Sequence, residues 1–229
     1  DVVGSTAFNS GTIRASNGGT LSIQSSIANS EGATNGTFEA TAGGILRVEG
    51  ITVSGGTVRT VGSGQIKLAT GTVTGGSLLN SSTGIIRAES GISKVDGLNN
   101  SAGGQVIINS GAGLVFKNTV QNDGTVLVNP SGSPTYAYID GSVTLQGTGK
   151  VTLSGSGDGP LRFFSDSTSD TLNSSETLDG SGAIAVKLNN QTGGVVDSNV
   201  TGGSIVLSAP TTNAGTLQAS NSATLSLND

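Results

Sequence analysis

The sequence predicts an all-β parallel β-helix (β-solenoid), with about 20 residues and three short strands in each coil. Three observations predict it. Glycines recur at a fixed interval, as Gly36, Gly56 and Gly76 in one series and as Gly44, Gly64, Gly84 and Gly104 in another. A period of about 20–50 residues marks repeat architectures. Between those glycines the apolar residues alternate with polar ones, which is the pattern of strands with one buried face. Gly makes up 38 of 229 residues, and charged residues only 11%. That composition suits many short strands joined by tight corners, because Gly and Asn tolerate the backbone angles that corners need.

Each element follows from this frame. After the first glycine series come Phe38 and Ala40, then Val58 and Thr60, then Leu78 and Asn80. After the second come Leu46 and Val48, Ile66 and Leu68, Ile86 and Ala88, and Val106 and Ile108. A third short run carries Ile51 and Val53, then Val73, then Ile92. Stacked coils place residue i over residue i+20, about 4.8 Å away along the axis. Leu46, Ile66, Ile86 and Val106 then form an inward apolar column. No coil can bury its inner face alone, so its neighbours must supply the rest of the core. The outward residues form columns too: Arg47, Lys67 and Arg87 make a basic ladder, and Glu39 faces Arg59 in what reads as a weak, solvated ion pair. Thr37, Thr57 and Ser77 run beside the irregular column Glu39, Arg59 and Leu79, which argues against an ice-binding face.

The chain reads as one segment, 1–229. Coils are regular over 9–95 and looser over 96–212. Two longer excursions are expected in the looser part, Asn129–Tyr138 and Ser154–Glu176. In solenoids such insertions project from one side, often the binding side. Residues 213–228 echo residues 9–24, NAGTLQASNSATLSLN against NSGTIRASNGGTLSIQ, with nine of sixteen positions identical. The spacing is 213 − 9 = 204 residues, so 213–229 reads as the start of a next repeat.

Composition removes several functions. There is no His, the commonest acid/base at neutral pH. There is no Cys, hence neither disulfide nor thiolate metal site. The formal charge of −5 argues against a nucleic-acid partner. No stretch of 18 apolar residues exists, so no helix is expected to insert in a membrane.

The coil beginning Asn213-Ala-Gly-Thr-Leu-Gln-Ala-Ser, with Asn9-Ser-Gly-Thr-Ile-Arg-Ala-Ser, Asp123-Gly-Thr-Val-Leu-Val and Leu178-Asp-Gly-Ser-Gly-Ala-Ile, resembles the coils of large bacterial exported proteins. These are the β-helical passengers of autotransporters and filamentous-haemagglutinin-type adhesins. The resemblance implies a right-handed β-helix at the bacterial cell surface, in a non-catalytic fibre, stalk or adhesin. It carries no cofactor and no catalytic motif. The implied partners are flanking repeats or identical subunits joined end to end, and cell-surface glycans or other cells.

The rival expectation is a carbohydrate-binding or carbohydrate-cleaving β-helix, such as a polysaccharide lyase or phage tailspike. Glycoside hydrolysis needs two carboxylates across one cleft, and the sequence offers no such pair: Glu49 and Glu89 are two coils apart with Ala69 between them. The densest acidic stretch is Asp158, Asp166 and Asp170 in a Ser-rich loop, expected to be solvated. Ser-Gly-Ser-Gly-Asp-Gly at 154–159 is the nearest approach to a calcium-binding repeat and occurs once. No catalytic or metal residue is therefore assigned. The surface-binding candidates are four of the few aromatics, Tyr136, Tyr138, Phe163 and Phe164. They read either as a stacking platform for sugar rings or as anchors that pin the excursions to the coil.

Overall fold

The computed structural model describes residues 7–129, 133–154 and 161–228. Among them there is no helix, and every pairing between turns is parallel. One small antiparallel hairpin, Ser30–Glu31 with Thr34–Asn35, stands apart. The chain winds through about ten turns of about 21 residues. Each turn has three faces. The first holds Thr37–Thr41, Thr57–Val61 and Ser77–Asn80; the second holds Ile45–Glu49 and Gln65–Ala69; the third holds Thr52–Ser54 and Thr72–Thr74.

The expected register holds. Leu46, Ile66, Ile86 and Val106 stack on one another, and none of them has any exposed area. The column continues through Val126, Val151, Leu178, Val196 and Leu217, with Leu21 at its other end. Outside it, Arg47, Lys67 and Arg87 stack as a basic ladder. The ladder is neutralised locally: Lys67 Nζ lies 2.8 Å from Glu89, and Arg47 lies 3.5 Å from the same carboxylate.

Three expectations are corrected. Ile92 is not in the core but 55% exposed, and Val95 stacks on Val73 instead. The cause is a bulge: Ala69 pairs with Ser90, so Glu89 is an inserted residue and the third face slips by two. Glu39 is not a weak exposed partner. It is buried, and it accepts hydrogen bonds from Arg14 at 2.7 Å and Arg59 at 2.8 Å. Burial pulls its carboxyl upward, but the hydrogen bonds and charges of Arg59 and Arg14 outweigh that and hold it below the ordinary range. The excursions are also shorter than expected. Thr135–Gln146 and Leu161–Phe164 are strands stacked in the third face, so Tyr136 and Tyr138 belong to the coil itself. Pro130 lies outside the described residues.

Inside the solenoid runs a polar column that periodic alternation alone does not announce. Thr60 donates to Asn80 Oδ1 (2.8 Å), Asn80 Nδ2 to Asn100 Oδ1 (2.7 Å), and Asn100 Nδ2 to Asn122 Oδ1 (2.7 Å). Each buried amide finds its partner one turn away, which is how such a group avoids the cost of an unmade bond. A glycine column flanks the ladder at the corner before the second face: Gly44, Gly64, Gly84, Gly104, Gly124 and Gly149. A Cβ at Gly124 or Gly149 would meet the carbonyl oxygen of the glycine one turn before at 2.3 Å, so the corner stacks only without side chains.

One residue breaks this column. Register places Glu176 between Gly149 and Gly194. It fits because the ladder skips a turn there, where Gly147 follows Asn122. The Glu176 side chain passes through that gap and its Oε2 accepts from Asn122 Nδ2 at 2.8 Å.

The two echoing segments occupy different faces. Thr12–Ala15 and Thr20–Ile23 lie on the first and second faces, whereas Thr216–Ala219 and Thr224–Leu227 lie on the second and third.

Candidate functional site

The third face changes character at its middle. Its outward positions run Ile92, Gly113, Tyr136 in one column and Lys94, Val115, Tyr138, Phe164, Ala185 in the next. Tyr136 and Tyr138 are two residues apart on one strand and so share a side. Their ring centroids are 5.3 Å apart, and Phe164 joins them at 6.1 and 5.8 Å. Such tilted and edge-on pairs are the favoured aromatic geometries.

The four aromatic candidates thus divide. Phe163 faces inward, is 2% exposed, and stacks on Ala137 and Ile184 as core. Tyr136, Tyr138 and Phe164 form a half-buried outward cluster. Gly113 makes room for it. A Cβ there would meet Tyr138 Cε2 at 2.7 Å, so the ring lies over the bare backbone of the preceding turn.

A groove of about 380 Å³ opens beside Tyr138. Lys94, Val115 and Tyr138 line it along the face, Asp140 stands at the corner, and Asp166, Ser167 and Asp170 border it from a loop one turn on. That volume is in the small-ligand range of about 300–1,000 Å³. Lys94 Nζ is hydrogen-bonded to Asp140, and this bond, with the charges of Lys94 and Lys117, holds the Asp140 carboxyl below its usual range. Ser165 Oγ donates to Asp170 and accepts from the Ser167 N–H, which ties the loop to its own base. Burial, with the neighbouring Tyr136 and Asp166, pushes the Tyr138 phenol up, so it stays a neutral donor. A second hollow of about 270 Å³ lies on the other side of the loop, against Lys187 and Pro210.

One reading of the sequence is overturned here. No two carboxylates were expected to share a cleft, yet Asp140, Asp166 and Asp170 border the same groove. Turns of unequal length bring together residues 46 apart, Lys94 and Asp140, and no motif announces that. Asp166 and Asp170 were legible as an acidic stretch, whereas Lys94, Asp140 and Gly113 carried no signal. Asp158 and most of the 154–159 motif lie outside the described residues. Among the described residues no group of three or more acidic side chains is placed to hold a metal ion. Glu49 and Glu89 both contact Arg47 and border no groove with an aromatic wall.

The fold defines the class, an all-β parallel β-solenoid of about ten turns. Comparison with family models, with curated proteins and with solved structures gives no match.

Proposed function

We propose that the chain is a non-catalytic structural segment of an extracellular bacterial fibre, stalk or adhesin, wound as a right-handed β-helix. The observation that carries this reading is the unbroken inner column from Leu21 to Leu217. Each turn buries its apolar face only against its neighbours, so the molecule can extend along one axis and in no other direction. Nine steps of about 4.8 Å make a rod roughly 40 Å long. The open ends of such a rod suit flanking repeats or identical subunits in line. The net charge of −5 disfavours nucleic acid.

The test uses the native polypeptide in its own cell. Protease shaving and antibody labelling of intact cells should reach it, and electron microscopy should show thin straight rods. Protection of the chain inside unbroken cells would overturn the reading. A second reading, a carbohydrate-cleaving β-helix, is favoured by Asp140, Asp166 and Asp170 around one groove. Release of reducing ends from a polysaccharide, lost in Asp166→Asn, would establish it in place of the first.

A further inference from the structure

The geometry points to a carbohydrate site in the third-face groove, one that takes a short neutral oligosaccharide of pyranose rings. This rests on reading the chain as a displayed rod and names what that rod would hold. The groove pairs one aromatic wall, Tyr138 backed by Tyr136 and Phe164, with hydrogen-bonding groups of both kinds. Asp140, Asp166 and Asp170 accept, Lys94 donates, and Ser167 does either. A pyranose has the complementary surface: an apolar C–H face to lie on the ring, and an edge of hydroxyls that both donate and accept. Vicinal hydroxyls can donate in pairs to one carboxylate.

Charge narrows the class. Three acidic side chains meet one ammonium in the groove, so uronic and sialic acids meet repulsion. A cationic ligand is disfavoured for a different reason. Asp140 already holds Lys94, and Asp170 already accepts from Ser165, so part of the acidity is engaged within the protein. What remains is acceptor capacity suited to hydroxyl groups.

Gly113 supplies the positioning. It lies in the preceding turn, borders no polar group of the groove, and leaves the space that the Tyr138 ring fills. A β-branched residue there would lift the ring while every hydrogen-bonding group stayed in place. Gly113 is thus a positioning residue for the aromatic wall.

The experiment is saturation-transfer NMR and calorimetry on the purified chain. Probes are maltotriose, cellotriose and tri-N-acetylchitotriose, with trigalacturonate and tri-lysine as charged comparators. One or more neutral probes should bind in the millimolar range. Tyr138→Ala should weaken that binding roughly fivefold to tenfold, the loss expected for one aromatic contact. Gly113→Val should weaken it comparably, and Tyr138→Phe should retain most of it. Circular dichroism and melting of each variant separate lost binding from lost fold. For a variant that fails to fold, Asp166→Asn, on the exposed loop, serves in its place and should also weaken binding. Absence of binding by every neutral probe would overturn the site, as would tighter binding of trigalacturonate or tri-lysine. Neutral binding indifferent to Tyr138→Ala would overturn it too. Cleavage of a bound probe would support the site while overturning the non-catalytic reading, and absence of binding would leave the rod untouched.

Discussion

Glu176→Gln tests the internal architecture most sharply. Glu176 is the carboxyl in a corner column of glycines, 2% exposed, with Oε2 on Asn122 and no partner for Oε1 among the described residues. Burial pushes its pKa up to about 7; the hydrogen bond from Asn122 opposes that, and the charge of Asp123 adds to it. The native chain therefore holds this proton more tightly than the unfolded chain, whose value is 4.5. The linked stability is fully present below 4.5 and is lost as pH rises through 7. Moving a carboxyl from 4.5 to about 7 corresponds to at most about 3 kcal/mol. Glutamine has the shape of the protonated acid and cannot ionise, so it keeps the Asn122 bond at every pH. Urea unfolding of both proteins at pH 4.5 and pH 8 reads the difference. The variant should match the parent at pH 4.5 within about 0.5 kcal/mol and exceed it at pH 8 by about 2–3 kcal/mol. Equal pH slopes in the two proteins would refute the buried, protonated Glu176.

Other predictions follow from the columns. Ile66→Asp places a charge in a column with no exposed area and should cost at least about 4 kcal/mol. Lys67→Asp, one residue on and outward, loses the 2.8 Å pair with Glu89 and should cost only about 1 kcal/mol; equal melting shifts for the two would sink the register. Asn100→Leu removes a buried amide that both accepts from Asn80 and donates to Asn122, and chemical denaturation should show a loss of about 2–4 kcal/mol. Glu39 behaves opposite to Glu176. Its lowered pKa gives stability that is present above 4.5 and lost as pH falls further, so acid unfolding should begin at higher pH in the parent than in Glu39→Gln.

The regular coils were legible because two periods coincide there: alternation sets which side of a strand faces in, and the 20-residue interval sets what stacks on what. Leu46, Ile66 and Ile86 satisfy both. Ile92 satisfied alternation but not register, because one bulged residue, Glu89, reset the face beyond it. The asparagine ladder had the right interval at Asn80 and Asn100, but polar residues at inward positions look like failures of a hydrophobic pattern until their amides are seen to pair. Glu176 was hidden by turn length. Val126, Val151 and Leu178 stack at spacings of 25 and 27 residues, so its place among the glycines follows only from the pairing. The groove was hidden for the same reason, its lining drawn from turns of unequal length.

These departures from regularity are what give the molecule a site at all. Where turns keep to 20 residues, each face is a flat stack whose outward columns neutralise one another, as Arg47, Lys67 and Glu89 do. Concavity requires an insertion at a corner, and the loop that carries Asp166, Ser167 and Asp170 is such an insertion, standing beside a strand that offers aromatic rings. The echo between residues 9–24 and 213–228 bears on how such a site would be displayed. Thr12–Ala15 lies on the first face and Thr216–Ala219 on the second, nine turns on, so 204 residues span nine turns and one face. A fibre repeating at that spacing would turn each copy by one face and present its grooves on all three sides in succession. A spacing of whole turns would instead line them along one side, so the extra third of a turn decides whether the fibre meets its surroundings from one direction or from three.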